Sequence, residues 1–125
     1  MTATTLGSYY MDFGSAGTSD YYPTDGVGGS GTGSLSSASH LRNAIKWELT
    51  GFTILAIGAA DRTWTLKDQA GTTIATWTVP TTKIVGDEIP AGFQFNISQG
   101  FTISTDNTDC HGRLSYKIIR YDPSV

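Results

Sequence analysis

Arg62–Val79, RTWTLKDQAGTTIATWTV, is the stretch that decides the fold class. Over Thr63–Lys67 the side chains alternate, Trp64 and Leu66 to one side, Thr65 and Lys67 to the other. Thr73–Val79 is rich in β-branched residues. Between them lies Asp68-Gln69-Ala70-Gly71, a turn sequence whose glycine can take positive φ. The segment reads as a β-hairpin. Its second strand raises a question. Period 2 puts Ile74, Thr76 and Thr78 on one face and Ala75, Trp77 and Val79 on the other, so Ile74 and Trp77 are opposed. Either a bulge resets the register, or the strand is apolar on both sides and one side meets something outside the domain.

Moving outward, Ile45–Leu49 and Gly51–Ile57 read as strand, with Gly51 as a bulge or kink. Leu41 to Leu49 also fits two helical turns, but Trp47-Glu48-Leu49 already alternates. Gly58-Ala59-Ala60-Asp61 is a turn, and Pro80 ends the hairpin. Thr82–Asp87 reads as a short strand before Glu88-Ile89-Pro90-Ala91-Gly92. Phe93, Phe95 and Ile97 alternate with Gln94 and Asn96. Phe101 and Ile103 alternate with Thr102 and Ser104. Leu114, Tyr116 and Ile118 alternate with Ser115 and Lys117 in a last strand to about Tyr121, after the polar loop Thr105–Gly112. Seven to eight short strands, turns every 8–12 residues and no convincing helix indicate an all-β, single β-sandwich. A jelly-roll arrangement is the first expectation and an immunoglobulin-like sandwich the second.

Residues 1–40 differ in composition and read as an extended N-terminal arm, leaving 41–125 as the sandwich domain. Gly, Ser and Thr dominate the arm, and such a segment buries too little apolar surface to offset its ordering entropy alone. It carries an internal echo, Tyr9-Tyr10-Met11-Asp12-Phe13-Gly14 and Tyr21-Tyr22-Pro23-Thr24-Asp25-Gly26, each of the form Tyr-Tyr-x-x-x-Gly. Tyrosines give contact area at low entropy cost, which suits docking onto another surface. The expected partner-binding residues are therefore Tyr9, Tyr10, Phe13, Tyr21 and Tyr22 of the arm, with Trp77 and Val79 on an exposed hairpin face. The competing expectation is an arm that folds back on its own domain.

Charge narrows the function classes. Before Arg42 the only charges are Asp12, Asp20 and Asp25, and from Arg42 onward eight Lys and Arg balance eight Asp and Glu. An acidic arm on a neutral body lacks the basic footprint of a nucleic-acid binder. No stretch approaches the roughly 20 apolar residues of a membrane span. MTATTLGSYYMDFGS has neither the basic start nor the apolar run of a signal peptide. One cysteine, Cys110, excludes an intrachain disulfide. A protein made and assembled in a reducing cytoplasm is the expectation.

No residue pattern points to catalysis, a cofactor or a metal. Gly26-Val27-Gly28-Gly29-Ser30-Gly31 matches G-x-G-x-x-G, but the strand before it and the helix after it are missing. Cys110-His111 are neighbours without a C-x-x-C or a second nearby histidine, since His40 is distant. Asp106-Asn107-Thr108-Asp109 offers oxygens suited to Ca²⁺ but lacks EF-hand spacing, and Asx-rich turns arise for local hydrogen-bonding reasons. Asn96-Ile97-Ser98 is a sequon inside an expected strand. Trp47, Trp64 and Trp77 suit a sugar-stacking platform, or, more simply, the core of a small domain. No spaced acid pair suggests glycoside hydrolysis.

Several segments together resemble the small β-sandwich decoration, or cement, proteins of tailed-phage capsids. They are Gly51-Phe52-Thr53-Ile54, Thr63-Trp64-Thr65-Leu66-Lys67-Asp68, Gly71-Thr72-Thr73-Ile74-Ala75-Thr76, Phe93–Ile97, Gln99-Gly100-Phe101-Thr102-Ile103 and Leu114-Ser115-Tyr116-Lys117. The resemblance covers roughly Trp47–Arg120 and leaves out the aromatic arm. It implies a jelly roll, often trimeric, on a capsid lattice, with no catalytic residues. The expected function is a non-enzymatic virion structural protein that binds a major capsid protein or other virion protein. A different class, a carbohydrate- or receptor-binding sandwich such as a head-fibre or tail-fibre tip, is the alternative.

Overall fold

The computed structural model describes residues 2–22, 45–96 and 100–122. They form seven strands and no helix: β1 (Thr2–Phe13), β2 (Ile45–Ile54), β3 (Arg62–Asp68), β4 (Thr73–Val79), β5 (Glu88–Asn96), β6 (Phe101–Thr105) and β7 (Gly112–Asp122). A four-stranded sheet has the order β1-β7-β2-β5 and a three-stranded sheet the order β4-β3-β6. Every ladder is antiparallel.

The hairpin forms where the alternation and turn chemistry place it. Gly71, at φ +88°, donates its N–H to the Asp68 carbonyl at 3.0 Å, and the Asp68 carboxylate accepts from Thr72 N–H at 2.9 Å. The register runs Leu66↔Ala75 and then Lys67↔Thr73, so Ile74 is the extra residue of a bulge. Beyond it Trp77 and Val79 turn inward with Trp64 and Leu66. Val79 is fully buried and Trp77 half-buried. The outward face of β4 is thus Ile74, Thr76 and Thr78, which corrects the expectation that Trp77 and Val79 form an exposed face.

A second bulge does similar work in β2. Both ladders of β2 shift between Leu49 and Gly51: against β7 the extra residue is Thr50, and against β5 the extra residue lies in β5, between Pro90 and Phe93. That reverses the inward phase, so Trp47 and Leu49 before it and Phe52 and Ile54 after it are all buried. At Gly51 a Cβ would lie 2.9 Å from the Ile89 carbonyl oxygen, so the close strand approach needs glycine.

The segment between β4 and β5 differs from the expectation. Thr82–Asp87 is not a strand: Lys83 N–H bonds to Pro80 O and Asp87 N–H to Ile84 O, making two tight turns. β5 begins at Glu88, five residues before the alternation at Phe93. Ile54 and residues 86–87 exchange backbone hydrogen bonds at 2.8–2.9 Å, which carries the β2 pairing past the start of β5.

The largest departure is β1. Thr2–Phe13, expected within an extended arm, pairs along the whole length of β7, from Thr2↔Asp122 to Phe13↔Gly112. Tyr9, Met11 and Phe13 face inward; Met11 and Phe13 are fully buried, and Tyr9 stacks on Tyr116 with centroids 5.9 Å apart. The physical reason is mutual: β7 has a second edge of backbone donors and acceptors to satisfy, and β1 has an apolar alternation to bury. Tyr21 then exchanges backbone hydrogen bonds with Ile103 at 2.9 and 3.1 Å. The glycine-rich remainder of the expected arm lies outside the described residues.

The core between the sheets is aromatic. Trp47, Trp64, Tyr116, Phe13, Phe52 and Phe101 are its largest fully buried side chains. Phe13–Trp64 and Trp47–Tyr116 meet edge to face at 5.0 and 5.5 Å, contacts worth about 0.5–1.5 kcal/mol each beyond area burial. The pairings are nested along the chain: β1 with β7, Tyr21 with β6, β2 with β5, and β3 with β4. Two further ladders, β2 with β7 and β3 with β6, join these pairs into sheets.

Candidate binding surface

The polar groups that suggested chemistry serve the fold. In the loop 106–111, Asp109 accepts from Arg62 Nε and Nη2 at 2.9 and 2.8 Å and from Ala59 N–H at 3.1 Å. The Arg62 hydrogen bonds hold the Asp109 carboxyl below its ordinary value. Asp106 accepts from Thr63 N–H, and Asn107 Oδ1 from Asp109 N–H. Among the described residues no cluster of three or more His, Cys, Asp or Glu side chains is placed to hold a metal ion. Cys110 is fully buried, and burial pushes its thiol pKa up, away from the thiolate a nucleophile needs. Its carbonyl accepts from Trp64 Nε1 at 3.2 Å and Thr105 Oγ1 at 2.9 Å.

The three tryptophans do not make a platform. Trp47 and Trp64 are fully buried, and only Trp77 reaches the surface in part. The tyrosine pairs divide similarly. Tyr9 and Phe13 point into the core, Tyr21 is buried at its bridge to Ile103, and Tyr22 packs partly against the core. Of the seven expected partner-binding residues only Tyr10 is exposed, at 52%. The Arg113 guanidinium lies 4.1 Å from its ring centroid and is itself bonded to Asp12 at 2.6 and 3.1 Å. This Asp12–Arg113–Tyr10 stack holds the ring on the outer face of the four-stranded sheet, where Arg113 already occupies one of its sides. The structure does not bring these seven residues together as one contact set.

Exposed apolar side chains that the sequence reading did not single out lie elsewhere. Ile84 and Val85 are 69% and 59% exposed in the loop from β4 to β5. Their loop is well bonded: Ile84 N–H donates to Asp87 Oδ2 at 3.0 Å and Gly86 N–H to Ile54 O at 2.8 Å. Two apolar side chains are therefore displayed on a fixed backbone. The available signal was two β-branched residues between Lys83 and Gly86, which β-propensity alone turned into a strand. Beside this loop run β4 and β5, the outer strands of the two sheets on this side. Trp77 and Phe93 meet edge to face between them at 5.9 Å, both half-buried, and Ile74 stands exposed on β4. From Gln69 to Thr82 no residue carries a charge. The rim is apolar and uncharged along β4, and at its loop end Lys83 and Glu88 stand exposed on either side of Ile84 and Val85.

On the outer face of the four-stranded sheet the β2 bulge opens a shallow groove of about 530 Å³, lined by Thr50, Gly51, Thr53, Glu88, Pro90 and Ser115 among others. Thr50 Oγ1 donates to the Ser115 carbonyl at 3.0 Å, so the bulged residue is tied to the sheet. Glu88 supplies the one carboxylate of this lining, beside the hydroxyls of Thr50, Thr53 and Ser115. No protein-family model, curated protein or solved structure matches the chain.

Proposed function

We propose that the chain is a non-enzymatic virion structural protein, a decoration or cement protein of a tailed-phage capsid, built on a jelly roll. The nested pairing supports the fold: four antiparallel pairs, each enclosing the next, rolled so that β7 also meets β2 and β6 also meets β3. Tyr21 stands where such a roll has its eighth strand, beside β6. Jelly rolls serve viral capsids and lectins alike, so the fold alone does not choose between these.

The observation that carries the reading is the rim of β4, β5 and the loop 80–87. Its work is binding energy. Fully burying Ile84 or Val85 against a partner is worth about 1.5–3 kcal/mol each, and the bonded loop has little ordering entropy left to lose. The partner is the major capsid protein or another virion protein, met on the capsid surface after assembly in the host cytoplasm. The protein acts as a homo-oligomer, with a trimer favoured by the resemblance, and needs no cofactor, nucleic acid or membrane. The contact residues move from the tyrosine pairs to Ile84 and Val85, with Tyr10 as a second, separate contact.

The test is occupancy on purified heads of the phage that encodes the chain, stripped and re-loaded. Ile84→Ser with Val85→Ser should leave the fold intact and lower occupancy, and the loaded heads should resist rupture better than bare ones. Undiminished occupancy would remove the rim from the interface. A saturable sugar-induced shift in tryptophan emission, without head binding, would overturn the reading in favour of a carbohydrate- or receptor-binding fibre tip.

A further inference from the structure

The free edge of β4 has a geometry that suits one occupant, and it does not depend on the capsid reading. Thr63 directs both its carbonyl and its N–H toward Asp106, on the β6 side of β3. Along a strand successive residues turn their backbone groups to opposite edges. Trp64 therefore faces β4, and Trp64↔Trp77 and Arg62↔Val79 are the hydrogen-bonded pairs of that ladder. It follows that Thr76 and Thr78 turn their N–H and C=O groups away from β3, to the open edge. Their side chains are exposed as well, so no strand among the described residues covers this edge.

Edge strands are ordinarily protected by charge, proline or a bulge. Here the bulge at Ile74 and Pro80 bound the edge at its two ends, and between them it is regular and unprotected. We infer that this edge pairs antiparallel with the same edge of a second copy, with Trp77 facing Trp77 across a twofold axis. In that register Thr76 of one copy exchanges two hydrogen bonds with Thr78 of the other, and Thr78 with Thr76. Ile74 of each copy then lies opposite Pro80 of the other, apolar against apolar, at the points where the ladder must stop. The two half-buried indoles come together at the centre, where a pair without backbone hydrogen bonds brings side chains closest.

Charge argues for a copy over a different partner. A twofold contact sets each residue near its own duplicate, so any charge would meet like charge, and from Gln69 to Thr82 there is none. A charged partner strand would gain nothing here. The contact is small, in the class of weak and exchangeable interfaces, and being isologous it leaves any threefold contact to another face.

Sedimentation velocity over a concentration series reaching the millimolar range reads the inference directly. The native chain should pass from a smaller species to one of twice its mass. Two variants test the edge: Thr76→Lys with Thr78→Lys, and Thr76→Glu with Thr78→Glu. Each alone should lose the association while keeping the native circular dichroism, and mixing them should restore it through opposite charges. Thr76→Cys mixed with Thr78→Cys should cross-link between the two chains on oxidation more readily than either variant with itself. No association in the native chain, association unchanged in the lysine variant, or cross-linking indifferent to the mixture would each overturn the proposal.

Discussion

Phe13 of β1 and Trp64 of β3 meet edge to face across the sandwich, with ring centroids 5.0 Å apart at an interplanar angle of 80°. Phe52 closes the group, 5.9 Å from Phe13 and 5.4 Å from Trp64. One N-terminal side chain thus completes an aromatic cluster whose other members come from the middle of the chain.

Removing residues 1–22 should therefore abolish the cooperative thermal transition, because the core loses Met11 and Phe13 while β7 loses the partner of one edge. Phe13→Ala in the full chain should cost about 3–5 kcal/mol in chemical denaturation. A shortened chain that melts as sharply as the native one would show that β1 is dispensable to the core.

Gly112→Ala should destabilise by about 1–3 kcal/mol, the usual range for overpacking. A Cβ there would meet Trp64 Cη2 at 2.5 Å and the Thr53 carbonyl oxygen at 3.0 Å. Trp64 is fully buried and held through its Nε1, so it has little room to give. Urea unfolding of the two proteins measures the difference; equal midpoints would mean that Trp64 repacks freely.

Asp109→Asn should lower the melting temperature at pH 7 by weakening the tie between the loops 55–61 and 106–111. The sign with pH follows from the lowered carboxyl pKa. Asp109 contributes fully above its unfolded value, near 3.8, and loses that contribution as pH falls through the lower folded value. The gap between native and variant melting temperatures should be constant from pH 7 to 5 and close in acid below pH 3.8. A gap that persists in acid would assign the loss to packing instead of the ion pair.

Tyr116 lies in the core with its hydroxyl unpartnered among the described residues, and burial, aided by Tyr9, pushes its pKa up to about 12. A raised folded value means that the contribution is complete below the unfolded pKa of 10.0 and is lost as pH rises toward 12. Tyr116→Phe should flatten alkaline unfolding over that window. At pH 7 it should leave stability unchanged or raise it by up to about 1–3 kcal/mol, the cost of an unpaired buried polar group. A clear loss at pH 7 would show that the hydroxyl has a partner.

Local chemistry was enough to read the hairpin of β3 and β4, the alternations of β5, β6 and β7, and the all-β class. In each, neighbours along the chain decide the outcome: a turn glycine, β-branched runs, period-2 burial. The candidate site was much less legible. Tyr9 and Phe13 alternate with Tyr10 and Asp12 as clearly as any strand in the chain, but glycine, serine and threonine around them suggested an arm. Ile84 and Val85 have strand-forming side chains, and only the hydrogen bonds to Ile54 and Asp87 make them a turn.

By itself the sequence determined which segments extend, where the hairpin turns, and that the charges leave one long stretch neutral. Tertiary structure decided which edge each strand finds and which side of it faces the core. Thr2–Phe13 becomes β1 only because β7, about a hundred residues later, offers an unpaired edge. Trp77 faces inward because a bulge at Ile74 and the packing of Phe52 and Phe93 set its side. Propensity acts between neighbours, whereas backbone pairing and burial join residues whose separation no local pattern records.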